Sequence, residues 1–208
     1  LPSGCRVNTR ALVLLGPGTV VNKKRLMQEI AECKLEVERL AIDPQVRLIS
    51  DQDIADEDEL RKSMGSTGQG VGAATAKRIL ERHLPRADCK IAANDRDLRP
   101  YVRPVLEGLE SIFARGQRVF LEGTQGTGLS LYHGEYPYVT SRDTTVAGCL
   151  AEAGISPSRV RKVIMTYRTY PIRVESPKDG TSGGMVREIS WKEIAKRSKI
   201  PVRELQRA

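Results

Sequence analysis

The residues best suited to bind a ligand lie between positions 122 and 145. Gly123, Gly126 and Gly128 remove side chains where a ligand could approach the backbone. The same stretch carries neutral hydroxyl and amide groups, at Gln125, Thr127, Thr140, Ser141, Thr144 and Thr145. Because these groups lack metal-ligand spacing, they favour recognition of a phosphate or a nucleobase over hydrolysis by a nucleophile. Each of them taken singly also fits an ordinary glycine- and threonine-rich surface loop.

A second glycine-rich segment occupies residues 63–83. Gly65, Gly68, Gly70 and Gly72 precede a helix pattern of alanines and basic residues. Backbone N–H groups can converge in such a loop, and the helix N-terminus adds partial positive charge that attracts an anion. The segment lacks the Gly-Lys-Ser/Thr ending of a Walker loop. It therefore predicts either a phosphate cradle or a glycine-rich turn without a ligand.

The elements around these loops alternate between strands and helices. Apolar runs predict strands at 11–21, 46–50, 119–121 and 162–174. The first run contains a turn and a short return. Helical spacing predicts helices that start at the N-cap Asn22 and stop at Pro44, span 101–116 with Gly116 as the stop, and span 144–154. This order indicates an α/β fold with a largely parallel sheet flanked by helices, whose ligands lie beyond the carboxyl ends of strands. Residues 122–126 occupy such an end.

Two other segments have less specific patterns. The acidic residues 51–60 fit a solvated connection or a face opposite a basic neighbour. The turn-rich residues 176–184 fit an ordinary surface loop or a mobile lid.

Composition restricts the class of protein. With 208 residues and 39% hydrophobic content, the chain can bury a core of one domain or a large part of one. No apolar run approaches the roughly 20 residues that cross a bilayer, and residues 1–10 lack a signal-peptide centre, so we expect a cytoplasmic protein with no membrane partner. The four cysteines are scattered singly, which predicts reduced packing thiols rather than zinc ligands or disulfides.

The net charge of +8 raises nucleic acid as a partner. The aromatic content of 4% argues against base stacking, so the charge fits nucleotide phosphates or a solvated face better. Residues 190–208 contain two short helical patterns around Pro201 that could form a helix-turn-helix. No basic arm accompanies them, and we do not expect a nucleic-acid partner.

Residues 122–126 and 133–141 together resemble the adenylosuccinate synthetase family. Its members carry a strand ending in Glu-Gly-x-Gln-Gly and then His-Gly-x-Tyr-Pro-Tyr-Val-Thr-Ser, and both motifs occur here in order. Residues 64–72 resemble the family's Gly-Thr-Thr-Gly-x-Gly-Ile-Gly segment. Residues 1–4 resemble a segment after its catalytic histidine, and residues 169–175 a strand ending in Thr-Arg-Val-Gly, from which Ile172 and Glu175 depart. The resemblance covers most of the chain and implies an incomplete P-loop-NTPase-like adenylosuccinate synthetase fold, with residues 1–208 as the central part of a single domain.

The resemblance implies an enzyme of purine nucleotide biosynthesis. The family uses GTP and Mg²⁺ to ligate L-aspartate to IMP through a 6-phosphoryl-IMP intermediate, after an aspartate removes the purine N1 proton. The catalytic aspartate and histidine and the first phosphate loop would precede this segment, and the Mg²⁺ ligands are expected outside it. The aspartate-binding and guanine-reading residues would follow it. The chain is then a fragment of a longer enzyme, or a catalytically inactive module that binds nucleotide.

The resemblance also assigns roles to residues of the two loops. It implies that Thr67 and Thr140 hold the 5′-phosphate of the substrate nucleotide, with Ser66 and Gly68 in the same binding loop. It places Gln125 against the purine near the reacting oxygen, where an amide can donate to developing charge. Gln125 is therefore the expected catalytic residue, and no metal ligand is expected in this chain.

In the family, an arginine after the glycine loop reaches the phosphate across a dimer interface. At the family's number of residues after the glycine loop, this chain has Glu81 in place of that arginine. Arg78 and Arg82 are nearby, and we assign the role to Arg82. A homodimer follows from that assignment. His133 is expected to be structural or near the nucleotide, because the catalytic histidine would lie upstream. Glu122 follows a predicted buried strand and fits a buried, hydrogen-bonded carboxylate that orients the loop or a catalytic one.

The substrate could be IMP or dGMP. The chain lacks the aspartates of the commoner Leu-Leu-Asp-Ile-Asp-His loop, and so resembles a shorter branch of the family. That branch is similar to phage enzymes that make 2-aminodeoxyadenylosuccinate from dGMP. We favour IMP, the commoner substrate of the family.

Overall fold

The computed structural model describes residues 1–64, 66–167 and 189–206, without the side chain of Met64. In these residues the fold is α/β. The strands are β1 (Val13–Leu15), β2 (Val20–Val21), β3 (Leu40–Ile42) and β4 (Arg47–Leu48). The helices are α1 (Lys23–Glu32), α2 (Asp51–Asp56), α3 (Asp58–Met64), α4 (Val71–Leu80), α5 (Val105–Ala114), α6 (Val146–Ala153), α7 (Trp191–Ser198) and α8 (Val202–Leu205).

The described strands form two parallel pairs. β1 pairs with β3, with Val13 opposite Leu40, and β2 pairs with β4, with Val20 opposite Arg47. The predicted strand and short return at 11–21 are therefore present, but the return pairs with β4 and not with the strand before it. The prediction of a largely parallel sheet flanked by helices is confirmed.

Helix α1 begins where predicted and ends earlier. The Asn22 side chain accepts a hydrogen bond from the Arg25 N–H at 3.1 Å. The helix stops at Glu32, because Lys34 adopts a left-handed backbone with φ of 48° and the Leu35 N–H turns back to the Ile30 carbonyl. The predicted continuation to Pro44 is wrong, since β3 lies in that interval.

The main core lies around β1, β3 and α1. Leu40, Ile42, Val46 and Leu98 are fully buried in it. Burying a side chain of this size contributes about 1.5–3 kcal/mol relative to leaving it exposed. A smaller cluster joins the opposite side of β3 to α5, so this strand is covered on both faces.

The acidic residues 51–60 form α2 and α3. Of the two expectations for this segment, the face opposite a basic neighbour is confirmed. Lys77 Nζ lies 2.9 Å from Asp53 Oδ1 and 2.7 Å from Asp56 Oδ2. Burial opposes ionisation of Asp53, but Lys77 and the N–H and hydroxyl of Ser50 outweigh it and hold the pKa of Asp53 below its usual value. These ion pairs fasten α2 to α4.

The predicted buried strand at 119–121 is wrong in the described structure. Phe120 is 82% exposed and Leu121 43% exposed, and neither lies in a strand. No strand of the described ranges pairs with these residues, and an apolar run becomes a strand only when a neighbour supplies its hydrogen bonds. Residues 162–167 are likewise irregular, and the remainder of the predicted strand 162–174 lies outside the described residues.

The other predicted elements fall close to their expected positions. Helix α5 ends before Gly116, whose φ is 65°, and α6 is capped by Thr145. The two short helical patterns near the end of the chain form α7 and α8, of which α8 is a single turn. The possible lid at 176–184 lies outside the described residues. Among the helices that are described, none is long and apolar enough to span a membrane.

Candidate functional site

The glycine loop before α4 depends on left-handed glycines. Gly68 has a φ of 58° and Gly70 a φ of 80°. A Cβ at Gly70 would lie 2.8 Å from Ile49 Cγ2 and 2.9 Å from the Ile54 nitrogen. A side chain at position 70 is therefore excluded by both conformation and space, and the loop packs closely against α2.

The backbone N–H groups at the start of α4 converge as predicted, but on an internal anion. Glu57 accepts hydrogen bonds from Gly70 N–H at 2.7 Å, Gly72 N–H at 2.5 Å and Ala73 N–H at 3.1 Å. In this structure Glu57 therefore occupies the N–H groups at which the sequence predicted a phosphate. Sequence reasoning missed Glu57, because a carboxylate between two short helices does not reveal its partner.

The residues of the loop that remain available to a ligand precede those N–H groups. Ser66 Oγ accepts from the Gly68 N–H at 3.2 Å, and the Thr67 carbonyl accepts from the Gln69 side chain at 3.1 Å. Thr67 is exposed and Ser66 half-buried. Their hydroxyls and the short turn at Gly68 form one wall of the candidate site.

The second loop, residues 126–145, is organised around a carboxylate that sequence reasoning also missed. Asp143 accepts from the Thr145 N–H at 3.0 Å, from Thr145 Oγ1 at 2.7 Å and from Ser130 Oγ at 2.8 Å. The Thr145 N–H and hydroxyl, aided by Ser130 and opposed by desolvation, hold the pKa of Asp143 below its ordinary value. The signal available in the sequence was the Asp-x-Thr spacing before a helix, which is typical of an Asx turn.

Hydrogen bonds to backbone carbonyls fold this loop back on itself. The Thr140 N–H donates to the Leu129 carbonyl at 2.8 Å, and Thr144 Oγ1 donates to the Gly126 carbonyl at 2.8 Å. Thr140 and Gly126, the residue after Gln125, are therefore both fixed by hydrogen bonds within this loop. This loop thus contains one predicted site residue, Thr140, and begins directly after another, Gln125.

Gln125 has an unusual backbone for its residue type. Its φ is 67°, in the left-handed region, and its side chain is exposed. This conformation costs a residue with a Cβ roughly 1–2 kcal/mol. Non-glycine residues in this region cluster at functional sites, so the geometry singles out Gln125 within a loop otherwise rich in glycine.

The two loops meet at the N-terminus of α4. A Cβ placed on Gly72 would lie 3.3 Å from Ser141 Cβ. Ser141 directly follows Thr140, and Gly72 lies four residues after Gly68. The glycine loop that carries Thr67 and the loop of residues 126–145 that carries Thr140 therefore approach each other beside Gly72 and Ser141, and we call them the Thr67 loop and the Thr140 loop.

Residues 122–126 contact two further parts of the chain. Glu122 accepts from the Ser3 N–H at 2.9 Å and from Ser3 Oγ at 2.7 Å, which joins residues 1–4 to this loop. A Cβ at Gly123 would lie 2.9 Å from Cys149 Sγ on α6. Glu122 is exposed, so the expectation of a buried carboxylate is wrong, and its hydrogen bonds to Ser3 fit a carboxylate that orients the loop.

Arg82 lies away from this region within the same chain. It is exposed, follows the C-terminal end of α4, and donates from Nε to the Ile79 carbonyl at 2.7 Å. A ten-residue helix is about 15 Å long, so Arg82 and Thr67 are at opposite ends of α4. Glu81, at the strict offset, forms an ion pair with the buried Arg47 at 2.7 Å.

The described residues offer no metal centre. No group of three or more histidine, cysteine or acidic side chains in these ranges is arranged to hold a metal ion. His133 is exposed on the second loop.

Comparisons with known proteins give one consistent family. A sequence model of adenylosuccinate synthetase matches residues 87–188. The chain is 36% identical over 180 residues to the adenylosuccinate synthetase of Thermococcus onnurineus, covering 84% of this chain and 51% of the relative. It is 39% identical over 170 residues to that of Methanocaldococcus jannaschii, covering 79% of this chain and 47% of the relative. The chain thus spans about half the length of the curated relatives it matches.

Two solved structures share the fold. The first is succinoaminodeoxyadenylate synthetase from cyanophage S-2L, bound to dGMP and to dATP as an energy donor. It matches with a TM-score of 0.76 and 31% identity, over 88% of this chain and 53% of that chain. The second is fully ligated adenylosuccinate synthetase from Plasmodium falciparum, with a TM-score of 0.61 and 22% identity, over 77% of this chain and 47% of that chain.

Proposed function

The chain belongs to the adenylosuccinate synthetase family, and from that premise we propose that it binds the substrate nucleotide of a GTP-dependent ligase of purine biosynthesis. The proposed reaction joins L-aspartate to carbon 6 of IMP. Residues 1–208 would form the central part of a single domain in a cytoplasmic enzyme.

The meeting of the two loops beside Gly72 supports this proposal most strongly. It places the Thr67 loop and the Thr140 loop on one region, with Ser66 and Gly68 beside Thr67. Hydroxyl and backbone N–H groups are the neutral donors that commonly bind phosphate. We therefore assign the 5′-phosphate of the nucleotide to the space between these two loops.

Gln125 is the residue assigned to the purine. Its exposed amide directly precedes the loop of residues 126–145 that holds Thr140, and its left-handed backbone fixes the direction in which the side chain leaves the chain. An amide N–H aimed at the 6-oxygen would stabilise charge that develops there during the reaction. The chain's contribution to catalysis is then to bind, to orient and to donate one hydrogen bond.

Arg82 is assigned to the phosphate of a neighbouring subunit. Within its own chain it lies at the far end of α4 from Thr67. A role at the phosphate therefore requires a second copy of the chain, which makes a homodimer part of the proposal.

Mg²⁺, GTP and L-aspartate belong to the proposed reaction, but the described residues do not form a metal site. The residues that would hold Mg²⁺ are expected outside this segment. A chain without them would bind nucleotide and would not catalyse ligation.

A dGMP-using ligase is the second candidate. The cyanophage enzyme that matches this fold is bound to dGMP, and it covers more of this chain than the Plasmodium structure does. The curated relatives at 36% and 39% identity are adenylosuccinate synthetases, so IMP remains our first proposal.

Titration of the purified protein with IMP and with dGMP tests the proposal. We expect one of them to bind, and Thr140→Val to weaken it roughly tenfold to hundredfold, because a hydrogen bond to a charged group contributes about 1.5–3 kcal/mol. The exposed Thr9, outside both loops, provides the matched control Thr9→Val, which should bind as the unaltered protein does. Binding that is unchanged in both Thr140→Val and Gln125→Ala would overturn the site assignment, and no binding of either nucleotide would overturn the function.

A further inference from the structure

Glu57 is a buried acidic residue beside the glycine loop, and the proposed function assigns it no role. It is 5% exposed and directly follows α2. Its two carboxylate oxygens together accept the N–H groups of Gly70, Gly72 and Ala73. These donors span the end of the glycine loop and the first turn of α4, so one side chain fixes the junction between them.

The negative charge of Glu57 matters for this contact. The first N–H groups of a helix have no partner within the helix, and the helix end carries partial positive charge. A carboxylate meets both needs, and hydrogen bonds to a charged acceptor are roughly twice as strong as neutral ones. A glutamine of the same shape would present only one carbonyl oxygen to three donors.

The glycine loop has few other anchors. Gly68 and Gly70 have no side chains, and both occupy left-handed conformations. The Gly70 backbone sits against Ile49 and α2 with no room for a Cβ. Glu57 therefore supplies charged hydrogen bonds that hold this loop against the start of α4.

Glu57 also borders the place where the two loops meet. A Cβ at Gly72 would lie 2.9 Å from Glu57 Oε1 and 3.3 Å from Ser141 Cβ. The carboxylate and Ser141 therefore both contact the same residue. Through Gly72, Glu57 sets the spacing between the Thr67 loop and the Thr140 loop.

We propose that Glu57 is a positioning residue for the substrate nucleotide. Resting on the proposed function, the inference is that the carboxylate fills the helix N-terminus, keeps the substrate phosphate out of it and holds the loops at the spacing that phosphate requires. The phosphate is then recognised by hydroxyl groups from two loops rather than by the start of α4.

Nucleotide titration and amide hydrogen exchange of Glu57→Gln test this inference, with IMP and dGMP as the probes. We expect about tenfold weaker binding, because a neutral acceptor replaces a charged one. The amides of Gly70, Gly72 and Ala73 should exchange about tenfold faster, with the rest of α4 unchanged. Glu59→Gln alters an exposed carboxylate two residues away and is the matched control.

Formate rescue separates positioning from general stability. In Glu57→Ala, formate can enter the space left by the carboxylate, and we expect it to restore nucleotide affinity there and to leave the Glu59→Gln protein unaffected. Should both variants fold poorly, Glu57→Asp keeps the charge but withdraws it by one methylene, and it should still weaken binding.

The outcomes distinguish this inference from the proposed function. Normal affinity in Glu57→Gln or Glu57→Asp, in a protein whose unaltered form binds nucleotide, would refute the role of Glu57 alone. Weaker binding of Glu57→Ala that formate does not restore would also refute it. Failure of the unaltered protein to bind IMP or dGMP would refute the proposed function, while the exchange rates of the three amides would still test the contact itself.

Discussion

Replacing Gln125 with glycine should make the protein more stable and its nucleotide binding weaker. The left-handed backbone of Gln125, with φ of 67°, costs a residue with a Cβ roughly 1–2 kcal/mol, which glycine avoids. Glycine also has more conformational freedom in the unfolded chain, which lowers the free energy of unfolding by about 0.5–1 kcal/mol. The net gain should be about 0.5–1 kcal/mol, or roughly 1–4 °C in Tm for a chain of this size. Loss of the amide donor should weaken binding of IMP or dGMP roughly tenfold.

Thermal unfolding and nucleotide titration of the same samples measure both effects. Lys34 offers a matched control, because it is exposed, has a φ of 48° and lies after α1, outside both loops. Lys34→Gly should raise Tm by a similar amount and leave nucleotide affinity unchanged. A Gln125→Gly protein that loses stability, or that binds as tightly as the unaltered protein, would refute the reasoning.

Three further outcomes follow from the contacts described. Asp53→Asn should destabilise the protein by about 1–3 kcal/mol near neutral pH, because it weakens a buried contact with Lys77. The depressed pKa of Asp53 means that this contribution is present above the unfolded pKa of about 3.9 and is lost as pH falls further, so urea titrations should show the difference shrinking there. Gly72→Ala should cost about 1–3 kcal/mol and weaken nucleotide binding, measured by titration, because its methyl group meets Ser141 and a carboxylate. Burial raises the pKa of the Cys5 thiol, so iodoacetamide at neutral pH should modify Cys5 after the other three cysteines, as followed by peptide mass spectrometry.

The N-cap signal at Asn22 predicted the start of α1, whereas Thr145 was not predicted as a cap. Asn22 and Thr145 both cap helices with their own side chains, because a short polar side chain can satisfy a free N–H group two or three residues ahead. The end of α1 was missed, since Lys34 takes the left-handed position that glycine usually signals. The strand β3 was missed with it, because its three residues lie in a stretch that also fits helical spacing.

Long-range pairing limited the prediction of strands. The apolar run at 119–121 has the composition of a buried strand, yet Phe120 is 82% exposed. Composition reports that a segment can be buried, whereas a strand also requires a partner at the right register.

Partner choice limited the prediction of the site as well. The glycine spacing correctly indicated converging N–H groups at the start of α4, but it could not reveal that Glu57 would satisfy them. The same limit applies to Asp143, whose partners include Ser130 thirteen residues earlier. The fold of the whole chain decides which acidic side chain reaches a given N–H donor. No short sequence motif predicts that pairing.

The loop of residues 126–145 carries its own set of hydrogen bonds, with Asp143 binding Ser130 and Thr145 and with Thr144 binding Gly126. Because this loop is already ordered without a ligand, it loses little conformational entropy when the nucleotide binds. Nucleotide association should therefore be fast and follow a single exponential, and changes within the loop should alter the arrival of the ligand as well as its departure.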